Sequence, residues 1–340
     1  MRDSAISESG FNYTSGLRRL MEKVLSGGYI TKSDALLLVE SPDLNLLDLI
    51  SSADYIRRKF SGDQIDLCAI VNAKSGACSE DCAYCAQSSK NKTGVQIFPL
   101  MNVELIMEKA EEAKTGGVSR FSIVTSGKKV SSTELKAVAS VLKHIRDIGL
   151  IPCASLGMLS KDELSFLKDN GLERYHHNIE TAERFFPEIC STHTFSQRVK
   201  TIESARSVGL SVCSGGIFGM GETWEDRLEM AFTLRDLNVQ STPINFLIPI
   251  EGTPLSGREI IHPFEALRII SIFRFILPDK SIRICGGRIQ ALREFHSMVF
   301  MAGADSILTG NYLTTTGRTF EDDIRLIKVH GLIPQKTCYV

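Results

Sequence analysis

Gly117-Val-Ser-Arg-Phe-Ser-Ile-Val124 is a glycine followed by a short run of β-type residues, and it closes a charged helical stretch. The same unit returns at Gly149-Leu-Ile-Pro-Cys-Ala-Ser155, Gly171-Leu-Glu-Arg-Tyr-His-His-Asn178, Gly209-Leu-Ser-Val-Cys213 and Gly303-Ala-Asp-Ser-Ile-Leu308. In each, glycine terminates a helix and a strand begins. The spacing is too uneven for a short solenoid repeat, but strands alternating with helices at these intervals mark parallel βα units. Adding Leu67 to Asn72, Val239 to Leu247 and Lys280 to Cys285 makes eight strands. Eight such units predict a (β/α)8 barrel of the TIM type, an α/β fold whose active site lies at the C-terminal ends of its strands. An open doubly wound sheet is the alternative reading of the same alternation.

Residues 1–60 read as an N-terminal helical cap. Leu17 to Leu25 is amphipathic, and Thr31 with Asp34 three residues on opens the run Ala35 to Val39 as a capping-box-like start. The barrel is expected over residues 61–320, with a C-terminal extension over 321–340.

With 340 residues, 43% of them apolar, the chain can bury a sizeable core without disulfides. Its 39 basic and 40 acidic residues are intermixed, for a net charge of −1. That leaves no basic stripe for nucleic acid and no electrostatic attraction to a membrane surface, and no segment is apolar for long enough to span one. Nine cysteines in irregular positions, with no signal-like stretch near Met1, predict a reducing cytoplasmic compartment where thiols stay free for metal. Cys68 and Cys338 read as a buried small hydrophobe and a tail thiol.

The chemistry concentrates after the first strand. Ala77-Cys-Ser-Glu-Asp-Cys-Ala-Tyr-Cys85 places Cys78, Cys82 and Cys85 in a C-x3-C-x2-C spacing. Three thiolates can each hold one iron of a 4Fe-4S cubane and leave the fourth iron open for another ligand. Half of a zinc site completed by a distant His or Cys is the alternative. At the strand ends stand Ser122, Cys153, His176, Asn178, Glu180, Cys213, Asn245, Arg283 and Cys285. Cys153, Cys213 and Arg283 lie on separate strands yet face one cavity, an arrangement suited to a second iron–sulfur cluster, although a protonated arginine is an odd ligand. Gly215-Gly-Ile-Phe-Gly-Met-Gly-Glu222 brings backbone close to something, or is a plain tight βα turn.

The cysteine triplet, with Tyr84 before its last member, resembles the radical S-adenosylmethionine superfamily, in which the open iron chelates the methionyl amino and carboxylate groups. The pattern G-x-I-x-G-x-x-E, through Gly215, Ile217 and Gly219, is similar to the segment that holds the adenine in those enzymes. Over nearly all of residues 15–335 the chain resembles the biotin synthase family. The resemblance rests on Gly76 to Cys85, Tyr175-His-His-Asn-Ile-Glu-Thr181, Val212-Cys-Ser-Gly-Gly216, Pro243-Ile-Asn245 and the strand with Arg283.

The resemblance implies a sulfurtransferase that inserts sulfur into dethiobiotin to make biotin. S-adenosylmethionine would be cleaved to a 5'-deoxyadenosyl radical, and sulfur would come from an auxiliary cluster, 2Fe-2S or larger. By the same resemblance Asn178, Glu180 and Arg198 contact S-adenosylmethionine, Asn178 and Asn245 bind the ureido ring, a flavodoxin- or ferredoxin-type protein supplies electrons, and the enzyme is a homodimer. Read without it, Arg198 is a solvated surface charge. One departure stands out: Ser122 falls where the better-known members carry the first auxiliary-cluster cysteine. Cys190, an additional cysteine between Cys153 and Cys213 in sequence, is expected to replace it, with Cys285 a further candidate. A metal-cofactor maturase on the same barrel, or a non-catalytic metal carrier, are the competing functions.

Overall fold

The computed structural model describes residues 9–41, 44–311, 313 and 317–335, so Cys338 lies outside the described residues. Three helices come first: α1 (Ser9–Leu25), α2 (Lys32–Glu40) and α3 (Leu46–Ser61). Thr31 accepts from the Asp34 amide while Asp34 accepts from the Thr31 amide, which closes the expected capping box at the head of α2. Leu17, Leu20 and Val24 of α1 are buried.

Strands and helices then alternate: β1 (Gln64–Lys74), α4 (Val103–Thr115), β2 (Arg120–Thr125), α5 (Ser132–Asp147), β3 (Ile151–Ser155), α6 (Lys161–Asp169), β4 (Arg174–His176), α7 (Phe195–Ser207) and β5 (Ser211–Cys213). They continue with β6 (Gly216–Phe218), α8 (Trp224–Asp236), β7 (Ser241–Phe246), α9 (Pro263–Ile276), β8 (Ser281–Ile284), α10 (Arg288–Leu292), β9 (Ser306–Leu308), α11 (Phe320–Val329) and β10 (Ile333–Pro334). All strand pairings are parallel, and β1 pairs with both β2 and β9. That second pairing closes the sheet and rules out the open doubly wound alternative. β5 and β6 both pair with β7 and act as two halves of one stave, so the closed barrel has eight. β10 adds a short pairing below, Gln64 with Ile333.

Gly215 and Gly216, at the break between β5 and β6, are required by close approach. A Cβ on Gly215 would lie 1.9 Å from the Pro243 carbonyl oxygen, and one on Gly216 2.1 Å from that of Glu180. The break therefore belongs to the sequence.

Strand register fixes which side chains share a level inside the barrel. Because the strands tilt, a layer across the axis climbs about one residue per strand. From Cys68 the pairing runs through Arg120 to Ile151, and two residues on is Cys153. From Cys153 it runs through Arg174 to Ser211, and two on is Cys213. From Cys213 it runs through Ser241 to Ser281, and two on is Arg283. From Arg283 it runs through Ser306 to Asp66, and two on is Cys68 again. Four alternate strands thus supply one closed layer, Cys68, Cys153, Cys213 and Arg283, where ordinary barrels place branched apolar residues. Cys285 stands two residues after Arg283, one layer higher and just past the end of β8.

Candidate functional site

Above this layer the barrel opens into a cavity of about 420 Å³. Cys78, Cys82 and Cys85 line it from the loop after β1, with Tyr84 beside them. That loop is a tight scaffold. Cys78 exchanges backbone bonds with Gln87 and Ser89, while the Asn91 side chain donates to the carbonyls of Cys82 (3.2 Å) and Cys85 (2.8 Å). Gly76 and Ala77 take positive φ just before Cys78 and turn the chain over the barrel mouth.

The loop after β4 supplies the facing wall. Arg198, from α7, donates to the Asn178 carbonyl (2.9 Å), the Glu180 carboxylate (3.3 Å) and His193 Nε2 (3.0 Å). It is buried rather than a solvated surface charge. Burial disfavours its charge, but Glu180 and the neighbouring Tyr84 outweigh that and hold its pKa up. Glu180 sits at φ 71°, a strained conformation for a side-chain-bearing residue, held there by backbone bonds to Gly215 and Ile217. Asn178 Oδ1 accepts from the Gly215 amide (3.2 Å), and Asn245 Nδ2 donates to the Gly216 carbonyl (3.1 Å) while its Oδ1 accepts from Gly286. The two amides hold the backbone on either side of the Gly215–Gly216 peptide, and with one Asn178 N–H given to Glu180 (3.2 Å) each keeps one N–H and one lone pair for a ligand.

Ile217 lines the cavity, whereas Gly215 and Gly219 shape the turn without entering the lining. Glu222 holds that turn, its carboxylate accepting from the amides of Gly219, Met220 and Gly221 at 2.8–3.1 Å and from Arg227 at 2.9 Å. In sequence Glu222 stands only as the end of the glycine motif, and its place three residues after Gly219 is the signal of this role.

Charge dominates the floor. Asp66 accepts from Arg120 and Arg283, each at 2.7 Å, and from Ser119. Arg283 also donates to Ser306 (2.6 Å), and its Nη1 lies 3.9 Å from Cys213 Sγ. Arg174 is buried with its Nη1 unpartnered. Three guanidinium groups against one carboxylate leave an excess of positive charge. Burial raises the Cys213 thiol, yet His176, Arg283 and Arg174 bring it down to about 6. Burial dominates at Cys68, pushed up to about 12, and raises Cys153 and Cys285 as well. A cationic, thiol-lined floor fits an anionic iron–sulfur cluster, and three mouth thiols fit an open-iron cubane.

Cys190 corrects the expectation drawn from sequence order. Its Sγ lies 3.8 Å from Cys82, near His193, and outside the cavity lining. The segment after β4 carries it to Cys82, and it does not share the cavity lining with Cys153 and Cys213. Ser122 lines the cavity as expected, on the strand between Cys68 and Cys153.

The closed parallel barrel with a three-cysteine loop over its mouth defines a radical S-adenosylmethionine enzyme. The profile of the radical SAM superfamily matches residues 73–234, and that of the biotin and thiamin synthesis associated domain matches 243–333. The chain belongs to the biotin synthase family: it is 57% identical over 296 residues to the biotin synthase of Thermodesulfovibrio yellowstonii, covering 87% of this chain and 93% of that protein. It is 52% identical over 267 residues to that of Thermotoga neapolitana, covering 78% and 95%. Among solved structures, methylornithine synthase (PylB) superposes with a TM-score of 0.81 at 20% identity, covering 94% of this chain and 98% of that one. At that identity the likeness speaks for the fold alone.

Proposed function

We propose that this cavity inserts sulfur into dethiobiotin to form biotin, with its residues divided between two ends. The observation that carries the reading is the opposition of thiols: Cys78, Cys82 and Cys85 at the mouth face Cys153 and Cys213 on the floor across one cavity. When bound, the mouth 4Fe-4S cluster and S-adenosylmethionine supply a 5'-deoxyadenosyl radical, and the auxiliary cluster supplies the sulfur.

Cys78, Cys82 and Cys85 would hold the mouth cluster, with one iron left for the methionyl group. Glu180 accepts from the ribose hydroxyls, Arg198 holds Glu180 in place and presents positive charge to the methionyl carboxylate, and Tyr84, Ile217 and the Gly219 turn wall the adenosyl group. Asn178 and Asn245 use their remaining N–H and lone-pair positions on the ureido carbonyl and N–H groups. Ile70, Val124, Phe246 and Leu308 keep the space between apolar, which protects a radical from water.

No helix among the described residues is long and apolar enough to cross a membrane. Cytoplasmic residence, a homodimer and a flavodoxin- or ferredoxin-type electron donor complete the reading and rest on the family resemblance, with the free thiols favouring a reducing compartment.

The test is anaerobic. Protein reconstituted with iron and sulfide is mixed with S-adenosylmethionine, a strong reductant and dethiobiotin, and products are followed by mass spectrometry. Biotin with 5'-deoxyadenosine is the expected result. 5'-Deoxyadenosine without biotin would overturn the substrate, and neither product from cluster-loaded protein would overturn the reaction class.

A further inference from the structure

We propose that Cys68, Cys153, Cys213 and Cys285 are the four protein ligands of the auxiliary cluster, and that neither Ser122 nor Arg283 binds iron. The inference rests on the reading above, that the barrel floor holds an iron–sulfur cluster.

Three observations carry it. First, the layer built from alternate strands presents Cys68, Cys153 and Cys213 at one level around the axis, with Cys285 one layer up, just past the end of the remaining strand of the set. Cys68 and Cys285 are in contact through one small buried cluster with Leu308, so the higher position of Cys285 does not separate it from the ring. All four thiols line the same cavity.

Second, Arg283 is already committed. Its Nη2 pairs with the buried Asp66 and its Nε donates to the fully buried Ser306. A guanidinium paired with a buried carboxylate stays protonated, and a protonated guanidinium has no lone pair to give a metal. Its Nη1, aimed at Cys213, suits a hydrogen bond to a cluster sulfur instead.

Third, three of the four thiols have no side-chain partner. Cys68, Cys153 and Cys285 make only long contacts, 3.6 to 3.8 Å, to carbonyls of their own strands. Ser122, by contrast, offers a hydroxyl that binds iron poorly, and it lies between two strands that each already bring a cysteine. Buried cysteines are often mere small hydrophobes. Four of them converging on a floor with three arginines and an unpartnered Arg174 Nη1 are not explained that way.

The experiment isolates the floor by replacing Cys78, Cys82 and Cys85 with Ala together, then reconstituting anaerobically with iron and sulfide. Iron per chain and the Mössbauer spectrum are read for this parent and for Cys68→Ala, Cys285→Ala, Ser122→Ala and Arg283→Lys added to it. Serine replacements at 68 and 285, with near-ultraviolet circular dichroism of the metal-free proteins, separate ligand loss from misfolding. We expect at least a threefold drop in iron for either cysteine variant, and full iron with an unchanged spectrum for Ser122→Ala. Arg283→Lys should keep its iron with a perturbed spectrum. Full iron and an unaltered spectrum in a folded Cys68 or Cys285 variant, or iron loss in Ser122→Ala, would overturn the ligand set. A folded parent that takes up no iron overturns the auxiliary-cluster reading itself.

Discussion

Among the described residues Asp66 is the carboxylate that the floor arginines share, and its neighbours determine its titration. Burial alone would raise its pKa, but Arg283 and Arg120, with the Ser119 hydroxyl, hold it at about 2. Because the folded value lies below the unfolded one, near 3.9, the group contributes stability fully above that unfolded value and loses it as pH falls toward 2. Asp66→Asn leaves two guanidinium groups without their counter-ion and should cost about 3–5 kcal/mol at neutral pH. Urea unfolding of metal-free protein at pH 7 and pH 3 checks both parts: the loss at pH 7, and a smaller gap between variant and parent at pH 3. At this same scale the reading of Cys190 from sequence order failed. Strand residues alternate faces with period two, so Cys153 and Cys213 could be aimed inward from sequence. Cys190 sits in a turn, where no periodicity aims a side chain, and the fold turned it toward Cys82. Cys190→Ala should leave the floor's iron content unchanged after reconstitution, and loss of that iron would restore it as a ligand.

Among the elements, the break between β5 and β6 does most to shape the cofactor wall. The run ending at Cys213 is legible as a strand, but Gly216-Ile-Phe218 is too short and glycine-rich to stand out, and only its pairing with β7 makes it a strand. The turn that follows is drawn together by one side chain, since Glu222 accepts from three successive amides and from Arg227. Hydrogen bonds to a charged acceptor are worth about 1.5–3 kcal/mol each. Glu222→Gln keeps the shape but surrenders the charge and one acceptor oxygen. Its expected effect is a rise on the order of tenfold in the Kd for S-adenosylmethionine, read by equilibrium binding to the cluster-loaded protein, together with a lower urea midpoint of metal-free protein, because buried Arg227 loses part of its counter-charge. A large loss of stability with unchanged affinity would show that the turn serves folding rather than the cofactor.

At the scale of the whole molecule, eight strand segments could be read from sequence because a glycine-ended helix precedes most of them. Closure is expected from the count of eight alone, and the contact that makes it, β9 meeting β1 across more than 230 residues of chain, carries no local signal. α11 follows the last strand of the barrel, in what the sequence alone reads as a C-terminal extension. Its Asp323 is fully buried and receives both Arg288 bonds at 2.8 Å from the head of α10, with Arg318 reaching it from the edge at 3.1 Å. This pair joins the segments after the seventh and eighth staves. Removing one member leaves the other charged and buried, which typically costs about 3–5 kcal/mol, whereas replacing both with apolar residues of similar size is often near neutral. Arg288→Met alone should therefore lower the urea midpoint sharply. Arg288→Met with Asp323→Leu should recover most of that loss, because Arg318, being partly exposed, can turn its charge to solvent. Equal losses in the single and double variants would mean that the hydrogen bonds from Arg288 Nη2 to both carboxylate oxygens, rather than charge compensation, hold α11 against the barrel.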